Sequence, residues 1–315
     1  MPVATILLFA TACTGDGQDT ATDPTDTGDT ADTGAEPTPV WDVALLGTAS
    51  TLTGVHASGG DVYAVGTVGA VYAGDDDGDW TSIGSDVDVG GQDLQGIWGK
   101  GSGDDLELVA VGTAGTIARL SSGRWSVEDV GTSNHEGVGG TGPGEVIVVG
   151  WGGSWHYDGS DWSFEEPPGN VRLNDVYVDG SEAVAVGEDG AVVRRSGDGT
   201  WTAVTVDTTV SLHGVSGTSM DDVWGVGNDG VVIHYDGSDW TTTTIGTSQA
   251  LWAVYAAESD KVCVVGSGGV ARRWDGENWN DLPTGVSNNL YAVHGEDGDD
   301  LWAVGNRGAV LHYKE

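Results

Sequence analysis

The sequence predicts an all-β fold: a seven-bladed β-propeller of four-stranded antiparallel blades, its ring closed by the N-terminal strand. Three observations predict it. A Val-Gly pair recurs seven times, with its glycine at Gly66, Gly112, Gly150, Gly187, Gly227, Gly266 and Gly305, at intervals of 37 to 46 residues. Between these marks lie only short apolar runs bounded by Gly and Asp, and no stretch keeps a helical period. A tryptophan follows on the same period, at Trp41, Trp80, Trp125, Trp162, Trp201, Trp240 and Trp279. A repeat of about 40 residues that holds four short strands is one propeller blade, because a blade buries its faces only against its neighbours.

The N-terminus comes first and reads as an address. The apolar run Ile6-Leu-Leu-Phe-Ala10 is too short to span a bilayer and fits the core of a secretory signal over residues 1–12. Ala10-Thr-Ala-Cys13 resembles a bacterial lipoprotein box, which implies lipidation at Cys13. Residues 13–39 repeat Asp, Thr and Gly, carry seven acidic residues and no basic one. Such a segment cannot bury a core, and its charges repel, so it reads as an extended tether. Residues 40–315 are the propeller.

Each repeat supplies strands a to d. Strand a is Leu-x-Gly-Val, as in Leu52-Thr-Gly-Val55; strand b is Asp-Val-Trp-Gly-Val-Gly227 or a relative. Strand c resembles Gly230-Val-Val-Ile-His-Tyr235, and strand d opens on the recurring Trp. Val, Trp and Tyr suit half-buried strands, and the Val-Gly-x-x-Gly turns suit tight hairpins with positive φ. The seventh repeat reaches Glu315 before any strand d, and Trp41-Asp-Val-Ala-Leu-Leu46 stands one period before Trp80. The N-terminal strand therefore completes the last blade, which leaves no open edge in the ring.

At these residues the repeat resembles the Asp-box or BNR type. It is similar to propellers of the photosystem II assembly-factor type and to those of bacterial envelope lipoproteins. Ser196-Gly-Asp-Gly-Thr-Trp201 comes nearest to an Asp box. The resemblance spans roughly residues 40–315 and implies a fold, on which many functions are built. Sialidases share the repeat, and they imply an Arg cluster, a Tyr nucleophile and an acid. Here Arg119, Arg194 and Arg273 share one strand-c position with His156, His234 and His312, so symmetry spreads them around the ring.

The net charge of −38, from 49 acidic and 11 basic residues, argues against nucleic acid and anionic lipid as partners. Basic proteins, cations and neutral glycans are compatible with it. Of the 2 cysteines, Cys263 takes a strand-b position that Trp224 and Tyr63 fill elsewhere, so it reads as a buried core thiol. No Gly-x-Ser-x-Gly elbow or His-Glu-x-x-His motif is present.

Three sets of residues are candidates for function. The a–b and c–d turns share one face, and it is acidic; Asp75, Asp77 and Asp79 have the alternate spacing of a Ca²⁺ loop but lack its Gly and bidentate Glu. Asp is equally a good turn residue. After the strand-a Val stand His56, Trp98, Gly139, Tyr177, Ser216, Tyr255 and His294. This position varies while its neighbours stay constant. Its aromatics either bind sugars or peptides or tune blade packing. Trp151 sits in the shortened b–c turn of the third repeat, on the face opposite the acidic one, and is a further contact candidate.

The sequence thus leads to a monomeric, non-catalytic, lipid-anchored propeller of the bacterial cell envelope, on the outer membrane or cell surface, that binds a protein or glycan. Two alternatives stand beside it: a sialidase-like or other carbohydrate-active enzyme, and a Ca²⁺-stabilised structural propeller.

Overall fold

The computed structural model describes residues 41–315; the signal segment, Cys13 and the tether lie outside the described residues. Seven separate four-stranded antiparallel sheets are present, each in simple a-b-c-d order except one. Blade 1 is Leu52–Ser58, Asp61–Gly66, Ala70–Asp75 and Trp80–Ser82, and blades 2 to 6 repeat the plan. Blade 7 takes Leu290–Asp297, Asp300–Gly305 and Ala309–Lys314 from the C-terminus and Asp42–Leu45 from the N-terminus. That last strand runs antiparallel to the C-terminal one, with Asp42 opposite His312 and Leu45 opposite Ala309. Trp41 is 2% exposed and packs 5.4 Å from the Tyr313 ring. The closure expected from the tryptophan period is the closure observed.

The core lies between blades. The strand-a leucines Leu52, Leu94, Leu173, Leu212, Leu251 and Leu290 are at most 1% exposed, and each joins apolar strand-b and strand-c residues, mostly valines, in an inter-blade cluster. The recurring Val-Gly now has a cause. A methyl group on Gly66 would sit 2.1 Å from the carbonyl oxygen of Thr51, and all seven equivalent glycines meet the residue before strand a at 2.0 to 2.3 Å. The same carbonyl accepts the next N–H, as from Thr67 to Thr51 at 2.9 Å. The backbone there is extended (φ −174° at Gly66), so close approach, not turn geometry, demands glycine. The b–c turns carry the positive φ instead, at Val68 and Gly69 in blade 1 (60° and 66°), as a type I′ hairpin needs.

The longest interval, Gly66 to Gly112, contains a one-turn helix at Gly84–Val87 and a 3-10 turn at Gly103–Asp105. No helix among the described residues is long and apolar enough to cross a membrane.

Candidate functional site

The strand-a residues reach the central channel in two layers. The first layer was not singled out from sequence. In every blade the a–b register slips by one residue between the first strand-a residue (Leu, or His135 in blade 3) and the next motif position, as between Leu52 and Gly54 or Leu290 and Ala292. The residue caught in that slip is a β-bulge: its backbone leaves the ladder and its side chain is re-aimed. Those seven residues are Thr53, Gln95, Glu136, Asn174, His213, Trp252 and Tyr291, and all of them line one mouth of the channel, a cavity of about 470 Å³. It opens on the b–c face, where Arg172, Glu188 and Asn228 complete the rim.

The rim is asymmetric. Across blades 5 to 7, the His213 ring lies 4.4 Å from Trp252, and Trp252 lies 5.5 Å from Tyr291. Polar neighbours fix these rings: Trp252 Nε1–H donates to Ser267 Oγ at 2.9 Å, His213 Nε2 lies 2.9 Å from Asn228 Oδ1, and the Tyr291 hydroxyl accepts from Asn289 at 3.2 Å. Burial lowers the His213 pKa, partly opposed by Asn228, so the ring is neutral near pH 7. Across blades 3 and 4, Arg172 pairs with Glu136 at 2.8 Å and with Glu188 at 3.7 Å. One half of the mouth is thus aromatic and the other is a paired charge.

The second layer holds the residues expected after the strand-a Val. Trp98, Tyr177, Tyr255 and His294 line the channel wall, in a cavity of about 350 Å³ continuous with the mouth. Their rings lean on the next blade as well. A methyl at Gly140 would meet the Trp98 ring at 3.1 Å, and one at Gly217 would meet the Tyr177 ring at 2.9 Å. Burial pushes the hydroxyls of Tyr177 and Tyr255 up to about 12. His56 is 5% exposed and lies behind His294, ring to ring at 4.5 Å, across the seam between blades 7 and 1. His294 Nδ1 accepts the Ala57 N–H at 3.2 Å. Blade 4 adds Asp175 where most blades have Gly or Ala; its carboxylate accepts from Val176 and from Val215 of blade 5, both at 2.9 Å, while burial pushes its pKa up to about 7.

On the opposite face the acidic turns hold themselves together. Asp75 Oδ1 accepts the N–H groups of Asp77 and Asp79 at 3.1 Å, and Asp158, Asp236 and Asp275 cap their own c–d turns in the same way. Asp198, in the segment nearest an Asp box, accepts from Ser196 Oγ at 2.7 Å and Thr200 N at 3.0 Å. The carboxylates of Asp75, Asp77 and Asp79 do not converge as a ligand set. Among the described residues, the group of three ligand atoms within 4.8 Å of one another is Asp76, Asp300 and His312, between blades 1 and 7. Lys314 already stands there as a counter-charge, 3.5 Å from Asp300 and 3.8 Å from Asp76.

The strand-c His and Arg side chains pair outward, most of them on their own blades. His234 with Asp222, His312 with Asp300, His156 with Glu145 and Arg194 with Glu182 are all 2.8 to 2.9 Å apart, each partner opening the strand b beside it. Blade 6 has Lys261 at that acidic place, so Lys261 and Arg273 both turn to Asp299 of blade 7. Arg119 lies over the Tyr157 ring, 4.1 Å from its centre. Among the described residues, Arg172 is the one arginine lining the channel, so the cluster a sialidase would need is not assembled there. Cys263 is 2% exposed and its thiol is pushed up to about 12 by burial, as expected of a core thiol. Trp151 is 60% exposed at the outer rim of the b–c face.

No family model matches the chain, and no curated protein does. Solved structures match its fold. A structure of YCF48 bound to D1 peptide superposes with a TM-score of 0.71 at 18% identity, covering 87% of this chain and 97% of that one. The WD40 propeller domain of Doa1 gives a TM-score of 0.72 at 14% identity, over 88% and 97% of the two chains. Virginiamycin B lyase from Staphylococcus aureus gives 0.70 at 12% identity, over 87% and 99%. At such identities the likeness is one of fold. It includes a peptide-bound propeller and an enzyme alike, so the site, not the fold, must argue function.

Proposed function

We propose that this chain is a non-catalytic binding module, exported and held at the cell envelope by a lipid on Cys13, that grips a polypeptide segment of a partner at the b–c channel mouth. One observation carries the reading: the bulged strand-a residue differs in every blade and is aimed into the channel mouth in all of them. Packing requires the constant frame around it; Thr53 and Asn174 of the varied ring also brace that frame, donating to Leu94 O at 2.6 Å and Leu212 O at 2.7 Å on the next blade, while His213, Trp252 and Tyr291 turn rings to the mouth. Aromatic planes at His213, Trp252 and Tyr291 suit an apolar or aromatic side chain, and the Glu136–Arg172–Glu188 arc suits backbone amides and a polar neighbour. That a propeller of this shape was solved with a peptide bound supports the choice of ligand. The Cys13 box and the acidic tether support the anchor.

The test is selection from a displayed random-peptide library on the immobilised full chain. Enriched peptides should lose at least tenfold in affinity for Trp252→Ala and keep it for Trp151→Ala. Peptides that bind Trp252→Ala unchanged, or no enrichment, overturn the reading. For the anchor, Cys13→Ser should move the protein from the membrane to the soluble fraction.

A further inference from the structure

Blade 3 departs from the repeat at several positions, and the departures meet in one place. Its strand a opens on His135 where the six other blades have Leu. Its b–c turn is one residue shorter and carries Trp151 where the other copies have Thr, Glu, Asn or Ser. Trp155 and Phe164 stand where other blades carry smaller or polar residues at most of the equivalent strand-c and strand-d positions. These four side chains line a single cleft of about 170 Å³ at the outer rim of the b–c face, together with Thr132 and Ser133.

The cleft is built on rigid backbone. Gly150 and Gly153 pair across the hairpin, Gly152 takes the positive φ (90°), and the Trp151 N–H donates to Asn134 O at 3.1 Å. Glycines let the rings lie flat on the chain: a methyl at Gly153 would meet the Phe164 ring at 2.4 Å, and one at Gly131 would meet Trp155 at 3.0 Å. Phe164 and Trp155 meet edge to face at 5.3 Å. Trp151 and Phe164 remain 60% and 52% exposed, a cost in water that packing inside this chain does not offset.

We propose that this cleft is a saccharide-binding site for a single ring of a neutral glycan, separate from the channel mouth. Charge decides the class. In a chain of net charge −38, the lining has no carboxylate, lysine or arginine, and His135 is buried and kept neutral by that burial. A charged ligand finds no counter-ion here; a neutral one keeps its solvation on the open side. A pyranose has an apolar face of C–H groups and a rim of hydroxyls. The exposed Trp151 plane matches the first, and the Thr132 and Ser133 hydroxyls match the second. The volume is below the roughly 300–1,000 Å³ of drug-sized pockets, so it fits one ring of a longer chain that continues into solvent.

The experiment is a glycan array probed with the full chain, followed by affinity gel electrophoresis in the neutral polysaccharides that score. Wild type should be retarded by at least one neutral glycan and by no uronic-acid or sialic-acid polymer. Trp151→Ala and Phe164→Ala should each weaken retardation at least tenfold, while Trp252→Ala, in the channel mouth, should leave it unchanged. Trp151 is exposed, so its loss spares the fold, and an unchanged melting temperature verifies that. No neutral glycan bound, binding that survives Trp151→Ala, or binding lost with Trp252→Ala overturns the proposal. A gain or loss of self-association in Trp151→Ala, without any glycan effect, assigns the cleft to a second copy of the chain and also overturns it.

Discussion

The ring seam is the place to test the architecture by perturbation, and Trp41→Ala is the sharpest probe. Trp41 is the most buried of the recurring strand-d tryptophans, at 2% exposed, and sits in the blade 7 cluster with Leu282, Leu290, Leu311 and Tyr313. Its indole N–H has no partner, so truncation removes packing alone. A fully buried Trp→Ala change costs about 3–5 kcal/mol. At roughly 2–4 °C per kcal/mol for a chain near this size, the melting temperature should fall by about 6–20 °C. Trp240, its partly buried counterpart in blade 5, is the internal control and should lose less, because it buries less area. Deleting residues 40–48 should cost more than either. It strips the ladder from Asp42–Leu45 and the hydrogen bond from Leu46 N to Gly308 O, and it exposes the C-terminal strand as an edge. Thermal unfolding followed by circular dichroism reads all three. A Trp41→Ala shift no larger than that of Trp240→Ala, or a deletion that melts with wild type, would refute closure through this strand.

Two further outcomes are expected. Between blades 3 and 4, Arg195 is 3% exposed and donates to Glu165 through Nε at 2.8 Å and Nη2 at 2.6 Å, while Trp201 Nε1 donates to the same carboxylate at 2.8 Å. Burial works against the Glu165 charge, but these bonds outweigh it and hold its pKa below the usual range. Glu165→Ala should therefore cost about 3–5 kcal/mol in urea unfolding, with Glu165→Ala/Arg195→Met recovering part of it; a single variant within about 0.5 kcal/mol of wild type contradicts the pairing. Burial also keeps the His56 and His294 pair neutral, His56 well below 6.5 and His294 at about 4. The unfolded chain takes up those protons first, so this contribution to stability is full above pH 6.5 and is lost as pH falls toward 4. Relief of the overall negative charge acts the other way, so the readout is the difference between wild type and His56→Leu. Wild type should lose more stability than the variant over that window, because only wild type carries the depressed His56; parallel pH profiles would rule out a buried neutral pair.

The sequence by itself determined the ring. Seven Val-Gly marks, the tryptophan period and the stray strand at Trp41 fix blade number, strand order and closure, because each blade solves the same packing problem and repetition makes the solution visible. It also singled out the varied strand-a position, since comparing repeats separates it from a constant frame; the structure puts Trp98, Tyr177, Tyr255 and His294 of that set on the channel wall. Only the tertiary structure decided what a one-residue slip does. Alternation along Leu-x-Gly-Val assigns x to a face by counting, but the bulge between Leu52 and Gly54 and its six equivalents breaks that count, so the ring from Thr53 to Tyr291 went unread. Contacts between blades were equally out of reach. That His56 hides behind His294, that Lys261 and Arg273 borrow an aspartate from blade 7, and that His135, Trp151, Trp155 and Phe164 share one cleft all depend on how strands and neighbouring turns come together in space. A linear pattern records which side of a strand a residue faces; what stands across from it is set by the packing of the ring.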